Sequence, residues 1–297
     1  MIHKSVLLKE SIEGLNLQKG DIFLDGTLGG GGHSEEVCKR MGKDMKVIGL
    51  DLDADAITRA TERISKIDCD FTTVQSSFRN LDKALDDLGI GKVNKILLDI
   101  GLSSNQFEDS GRGFSFKKDE PLLMTFKKEV SEEDITAREI VNNWDEENIT
   151  EIIKSYGEER YARKIAKKIV ESRQMKPIET TFELVEIVKK ATPLYYHKGR
   201  IHPATRTFQA LRITVNDELR ALQEGLEKGF EKLDSMGRMA VISFHSLEDR
   251  IVKNYFRDWA KEEKAELLTK KPIIPTEEEI NENPRSRSAK LRIILKK

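Results

Sequence analysis

Over the first hundred residues, short apolar runs alternate with segments of helical period. Asp21-Ile-Phe-Leu-Asp25, Lys46-Val-Ile-Gly-Leu50, Phe71-Thr-Thr-Val74 and Lys95-Ile-Leu-Leu-Asp99-Ile100 read as four strands. Between the first two, Ser34 is placed to cap a helix running through Val37 and Cys38 to about Met41. Asp53 is placed to cap a second helix from Ala54 to Lys66, with Ile57, Ala60 and Ile64 on one side, and a third covers Leu81 to Leu88. Upstream, Ser5-Val-Leu-Leu8 and Ile12 can anchor an amphipathic helix over the end of the sheet. Strands that alternate with helices in this way predict a parallel, doubly wound α/β sheet.

The alternation stops at Gly101. Residues Asn105 to Phe116 have loop character, and from about Ser131 to Thr192 the period is only helical. Thr136 with Glu139 forms a capping-box pattern. Glu159 to Arg173 reads as a helix with Tyr161, Ile165 and Ile169 on one face and Arg160, Arg163, Lys164 and Lys167 at spacings of three and four. Thr181 starts another short helix, ended by Pro193. Pro203 suits the first turn of one long helix, because Phe208, Leu211, Val215, Leu219, Leu222, Leu226, Phe230 and Leu233 follow at steps of three and four as a core stripe. Met239 to Ser243 resumes the sheet, Leu247 to Lys261 is helical, and Leu267-Leu268 and Leu291 to Leu295 close it as strands around a Pro272 to Arg287 loop. The division expected is residues 1–107 with 206–297 as one α/β domain and 108–205 as an inserted all-helical one.

Composition narrows the classes without changing this plan. The 297 residues can bury a substantial core, and 35% charged against 38% hydrophobic residues fits a soluble, helix-rich protein. No stretch is apolar enough to span a membrane, and the first residues lack a signal-peptide pattern, so a cytoplasmic protein is expected. Cys38 and Cys69 lack metal-type spacing; they are expected as buried or free thiols, with no metal site. The formal net charge is only −1, but Gly157 to Arg212 holds thirteen Lys/Arg against six Glu and no Asp. Such segregation points to one face for an anionic partner, the alternative being a solvated lysine-rich surface.

The chemistry gathers at strand ends. Asp25-Gly-Thr-Leu-Gly-Gly-Gly-Gly-His33 is a glycine turn between a strand and a helix, and Asp51-Leu-Asp53 closes the next strand about twenty residues later. Glycines let the backbone approach a ligand, and an acid at that distance can accept from both hydroxyls of a ribose. The spacing departs from the GxGxxG of a pyrophosphate site. It suits S-adenosylmethionine, which has adenosine but no phosphate, better than a dinucleotide. Phe78 after the third strand can stack on adenine or belong to the core. Asp99-Ile-Gly-Leu-Ser-Ser-Asn-Gln106 ends the fourth strand, and Asp99, Ser103, Ser104 and Asn105 offer acceptors for the N–H groups of an exocyclic base amine.

Asp25 to Ser34, Leu98-Asp-Ile-Gly-Leu-Ser-Ser104, Arg112-Gly-Phe-Ser-Phe116, Tyr156-Gly-Glu-Glu-Arg160, His202-Pro-Ala-Thr-Arg-Thr-Phe-Gln209, Ile242 to Arg250 and Glu282-Asn-Pro-Arg-Ser-Arg-Ser288 together resemble the RsmH (MraW) family. That family comprises bacterial N4-cytosine methyltransferases acting on the decoding region of 16S ribosomal RNA. The resemblance covers nearly the whole chain. It implies a class I, Rossmann-like methyltransferase sheet interrupted by a helical substrate-recognition domain. It also implies that Gly31, Gly32, His33, Asp51, Phe78, Asp99 and Gln106 line the S-adenosylmethionine site, with Asp99, Ser103 and Asn105 as catalytic candidates. The implied partner is 16S ribosomal RNA or the small ribosomal subunit, with no membrane. The oligomeric state is left open, a homodimer included.

Two departures accompany the match. Asn105 stands where the family usually has Pro. In Pro121-Leu-Leu-Met-Thr125, Leu123 and Thr125 replace an acid and a base of the family's Pro-Leu-Asp-Met-Arg. A paralogue with a shifted RNA target and a non-catalytic ribosome-binding protein therefore stand beside the enzyme as alternatives. A nicotinamide oxidoreductase would use the same strand–loop–acid unit, but with the pyrophosphate glycine spacing.

Overall fold

The apolar runs pair as the strands of one sheet in the computed structural model, which describes residues 4–101, 110–127, 130–131 and 134–297. The strands are β1 (Ile22–Asp25), β2 (Lys46–Asp51), β3 (Asp70–Gln75), β4 (Val93–Asp99), β5 (Leu233–Ser243), β6 (Ala265–Leu267) and β7 (Lys290–Lys296), in the order β3-β2-β1-β4-β5-β7-β6. The first five are parallel; β7 runs antiparallel between β5 and β6. Side chains alternate between the faces of a strand. Phe23, Val47, Leu97, Ala240 and Ile242 accordingly enter one buried cluster, and Leu24, Ile48, Ile96, Leu98 and Val241 enter the other. With both faces covered, the central strands are near-continuous apolar runs rather than alternating ones.

Helices α1 (Leu8–Leu15), α2 (Gly32–Met41) and α3 (Ala54–Ile64) contribute Ile12, Leu15, Val37 and Ile64 to the first cluster. α4 (Leu81–Asp87) contributes Leu81 and Leu85 to the second. Asp53 caps α3 as the sequence predicts, its carboxylate accepting from the N–H of Asp55. Ser34 does not cap α2. Gly31 holds that position at φ 73°, and Ser34 lies inside the helix.

The cysteine expectation is also corrected. Cys38 in α2 and Cys69 before β3 are joined as a disulfide, with their Cα atoms 5.6 Å apart, so neither is a free thiol. The bridge closes a separation of 31 residues. Restricting the unfolded chain over such a loop stabilises a fold by roughly 2–4 kcal/mol. Reduction should therefore lower the urea midpoint of the wild-type protein and leave Cys38→Ser unaffected; equal midpoints with and without reductant would show that the bridge adds nothing.

The chain forms two compact units, Met1–Gly101 with Leu219–Lys297 and Leu102–Glu218. The second is built from α5 (Ala137–Asn143), α6 (Glu146–Ser155), α7 (Ala162–Met175), α8 (Thr181–Ala191), α9 (Leu194–His197) and α10 (Thr205–Asn216). Its core includes Ile140, Ile149, Ile153, Ile165, Ile169, Leu184, Val188, Phe208 and Leu211. Thr136 caps α5 through the N–H of Glu139. The reciprocal capping box is made instead by Thr180 and Glu183 at the start of α8. Arg160 falls in the turn ahead of α7 rather than on the helix.

The single long helix predicted from Pro203 is two. α10 stops at Asp217, which adopts φ 50°, and α11 spans Glu218–Lys232. Leu233, the last residue of the stripe, starts β5. α12 (Ser246–Lys261) follows β5, and the Pro272 to Arg287 segment holds a short helix, α13 (Glu277–Glu282), and a 3-10 turn. Leu123 and Thr125, which replace an acid and a base of the family pattern, lie where backbone contacts dominate. The carbonyl of Leu123 accepts from Ala137, Met124 donates to Arg112, and Asn216 bonds both Met124 and Phe126. Thr125 itself is buried and its hydroxyl accepts from the N–H of Lys127.

Candidate active site

The site is built by the carboxyl ends of β2, β1 and β4, where an open α/β sheet binds its ligands. β1 ends in Asp25, which is buried and accepts from the hydroxyl of Ser34 at 2.7 Å and the N–H of Thr27 at 3.2 Å. Burial pushes its carboxyl up to about 6 in spite of these bonds. The glycine turn that follows is anchored to both neighbouring strands, Gly26 donating to Leu97 and Leu28 to Leu50.

The four glycines divide into two pairs. A Cβ on Gly31 would lie 2.8 Å from that of Ala60, and one on Gly32 would lie 2.0 Å from the Ser5 hydroxyl. These two permit close packing of α2 on its neighbours. A Cβ on Gly30 would meet nothing within 4 Å, and one on Gly29 only the Thr27 carbonyl at 3.9 Å. The open backbone is therefore Gly29-Gly30, and the spacing of the motif gives no sign of this division.

Asp51 is tied to that turn. One carboxylate oxygen accepts from Gly29 N–H and the other from Asp53 N–H, both at 2.8 Å. Each oxygen keeps a second lone pair, so the group can still accept from a pair of hydroxyls. Burial raises its pKa, while the two backbone bonds oppose the shift. Asp53 is occupied differently, by its cap on α3 and by Arg59 at 3.9 Å.

Asp99 ends β4 with its N–H donating to the Thr27 hydroxyl at 2.6 Å, which joins the strand end to the glycine turn. Its side chain is 18% exposed, and burial pushes the carboxyl up to about 7. The charges of Asp25 and Glu248 add to the rise. His33 is buried, with Nε2 3.2 Å from the Val6 carbonyl and Nδ1 4.0 Å from Asp99. Phe78 begins a 3-10 turn after β3 and sets its ring against Gly225 of α11. Next to it, Arg79 forks onto Glu224 at 2.6 and 2.8 Å.

Sequence patterns did not single out Glu248 or Phe244. Glu248 is buried and accepts from the N–H groups of Phe244 and His245 at the start of α12. The ring of Phe244 lies where a Cβ on Gly101 would come within 2.6 Å, so Gly101 gives the β4 end room beside an aromatic. The only prior sign was their place in the Ile242 to Arg250 motif. Ser103, Asn105 and Gln106 lie outside the described residues.

An open glycine backbone, a carboxylate held at the turn and two further buried acids fit a nucleoside that carries positive charge. A pyrophosphate would meet these acids as like charges. This sheet order with its antiparallel seventh strand, together with such a site, defines a class I methyltransferase fold. A model of the MraW methylase family matches residues 1–297, and the chain belongs to that family. Its cofactor is S-adenosylmethionine.

Ribosomal RNA small subunit methyltransferase H of Lachnospira eligens is 45% identical over 306 residues, covering 98% of this chain and 96% of the relative. The protein of that name from Sulfurihydrogenibium sp. is 50% identical over 291 residues, covering 98% of each. That from Clostridium botulinum is 45% identical over 309 residues, covering 99% of this chain and 98% of the relative. Among the described residues no helix is long and apolar enough to cross a membrane.

Asp51→Ala should weaken S-adenosylmethionine binding by about tenfold or more, since a hydrogen bond to a charged group is worth roughly 1.5–3 kcal/mol. Calorimetry that finds unchanged affinity would remove Asp51 from the ribose site and turn attention to Asp53.

Proposed function

We propose that the protein methylates the N4 amine of a cytosine in the decoding region of 16S ribosomal RNA. The observation that carries the chemistry is the Asp99 carboxyl, buried at the end of β4 with its pKa raised to about 7. When bound, S-adenosylmethionine supplies an electrophilic methyl group on a sulfonium. In the assignment favoured here, Asp51 accepts from the ribose hydroxyls and Gly29-Gly30 gives the adenosine a backbone to lie against. Asp99 faces the reacting amine.

An exocyclic amine is a poor nucleophile because its lone pair is delocalised into the ring. An acceptor on its N–H groups fixes its orientation for in-line attack, and a group titrating near neutrality is well matched to take the proton released as the N–C bond forms. The edge of a base is hidden in folded RNA, so the cytosine has to be splayed out to reach Asp99. The names of the relatives support the small-subunit RNA as substrate. A paralogue with a shifted target is favoured only by Leu123 and Thr125.

The cationic residues of the helical unit are the proposed RNA contacts, the role assigned to the inserted domain. Arg163, Lys164 and Lys167 are exposed on α7, with Lys167 only loosely paired to Glu171 at 4.0 Å. Contacts of this kind release counterions from phosphates, so affinity falls steeply with salt. Arg163→Glu combined with Lys167→Glu should lower RNA affinity about tenfold and flatten the salt dependence, while cofactor affinity stays the same. An unchanged salt slope would make this face an ordinary solvated surface. The function itself is tested by transfer of labelled methyl groups to 30S particles and to naked 16S RNA, with no transfer to either as the contrary result.

A further inference from the structure

We infer that Tyr195, backed by Tyr161 and Arg160, is a stacking platform for an unpaired base of an RNA strand whose phosphates lie along the cationic face of α7. Tyr195 is 64% exposed, and its hydroxyl is bonded to the hydroxyl of Tyr161. The Arg160 guanidinium sits 4.9 Å from the ring centres of Tyr161 and Tyr196 and 6.0 Å from that of Tyr195. Lys164 of α7 reaches within 5.8 Å of the Tyr161 ring, so the aromatic cluster and the cationic face are continuous.

The platform is held from beneath. Glu159, buried, accepts from the Tyr161 N–H at 2.8 Å and from the Tyr196 hydroxyl. Tyr196 packs edge-on to Tyr161 with ring centres 5.1 Å apart. Two rings and a guanidinium are thus fixed before any ligand arrives, which lowers the ordering cost of binding.

Charge decides what fits. Among the described residues Arg160, Arg163, Lys164, Lys198 and Arg200 form no salt bridge, and Glu159, the acid beneath the rings, is turned inward. Fixed aromatic faces next to unpaired cations are what a single strand uses, the bases stacking and the backbone tracking the positive charge. A duplex keeps its bases stacked internally and offers such a ring nothing but its phosphates. The inference rests on the proposed RNA substrate.

The test compares full-length wild type, Tyr195→Ala and Tyr195→Trp. The probes are a short single-stranded RNA carrying one 2-aminopurine and a duplex of the same length. Tyr195→Ala should weaken single-strand binding by about tenfold and lose the quenching of 2-aminopurine, with duplex binding changed less than about twofold. Tyr195→Trp should retain both. Equal losses on the two probes, or no loss on the single strand, would overturn the platform. Because the readout needs no methyl transfer, a wild-type protein inactive on 30S particles would count against the proposed reaction and leave this test intact.

Discussion

Asp99→Asn is expected to slow methyl transfer to 30S particles by about 100-fold, close to 2.7 kcal/mol of barrier, while the protein stays folded. The substitution preserves size and one carbonyl acceptor, and the Thr27 contact is made by the backbone N–H of residue 99, so the strand end keeps its anchor. The losses are the negative charge and the ability to take a proton. Stability should move the other way. Burial holds the Asp99 carboxyl at about 7, well above the roughly 3.9 of an unfolded aspartate, so above neutrality the cofactor-free fold carries an unfavourable buried charge. The variant should therefore melt higher than wild type at about pH 8, and the difference should shrink as pH falls and vanish only below about pH 4, where the unfolded aspartate is protonated too. Single-turnover assays and melting curves measure the two effects separately. A wild-type rate would leave Asp99 without a chemical role, and a loss confined to cofactor affinity would make it a binding residue only.

The second large effect is a pH dependence that discriminates between cofactor and product. The native protein binds more protons than the unfolded chain between about pH 4 and pH 7, because Asp25 and Asp99 titrate at about 6 and about 7. The stability of the free protein therefore falls as pH rises through this window, by about 1.4 kcal/mol per pH unit for each group in its titrating range. A cation in the site favours the ionised carboxylates, so S-adenosylmethionine affinity should rise about tenfold or more from pH 5.5 to pH 8. S-adenosylhomocysteine, a neutral thioether at the same atom, should respond much less, and Asp99→Asn should flatten the curve for the cofactor. Calorimetry with both ligands decides it; parallel curves would mean that neither acid senses the sulfonium.

The sheet was legible because its strands are buried on both faces and stand out as apolar runs between turn residues. The helix after Pro203 was misjudged for the same reason. Its stripe from Phe208 to Phe230 keeps a helical period through Asp217, although Phe208 and Leu211 belong to one core and Leu222, Leu226 and Phe230 to another. The break comes from a single residue at φ 50° and from Asn216, whose side chain serves Met124 and Phe126. Such contacts link positions about ninety residues apart and leave no local pattern. The Cys38–Cys69 bridge was hidden likewise, since nearness in space fixes a disulfide. At the candidate site, Asp51 and Asp99 stand out in the sequence as acids ending apolar strands. Ser34 and Glu248 do not, because one lies inside a helix and the other supports a turn from a third element. The exposed Tyr195 carries no local pattern that separates it from its half-buried neighbour Tyr196.

The central claim is N4-methylation of cytosine in 16S ribosomal RNA, and nucleoside mass spectrometry tests it most directly. RNA from small subunits lacking the modification would be digested after incubation with S-adenosylmethionine and either wild-type protein or Asp99→Asn. N4-methylcytidine, mapped to one decoding-region fragment, should appear with wild type and be nearly absent with the variant. Methylation at carbon 5 or on another base, or N4-methylcytidine produced equally by Asp99→Asn, would contradict the assignment of the reaction to this site.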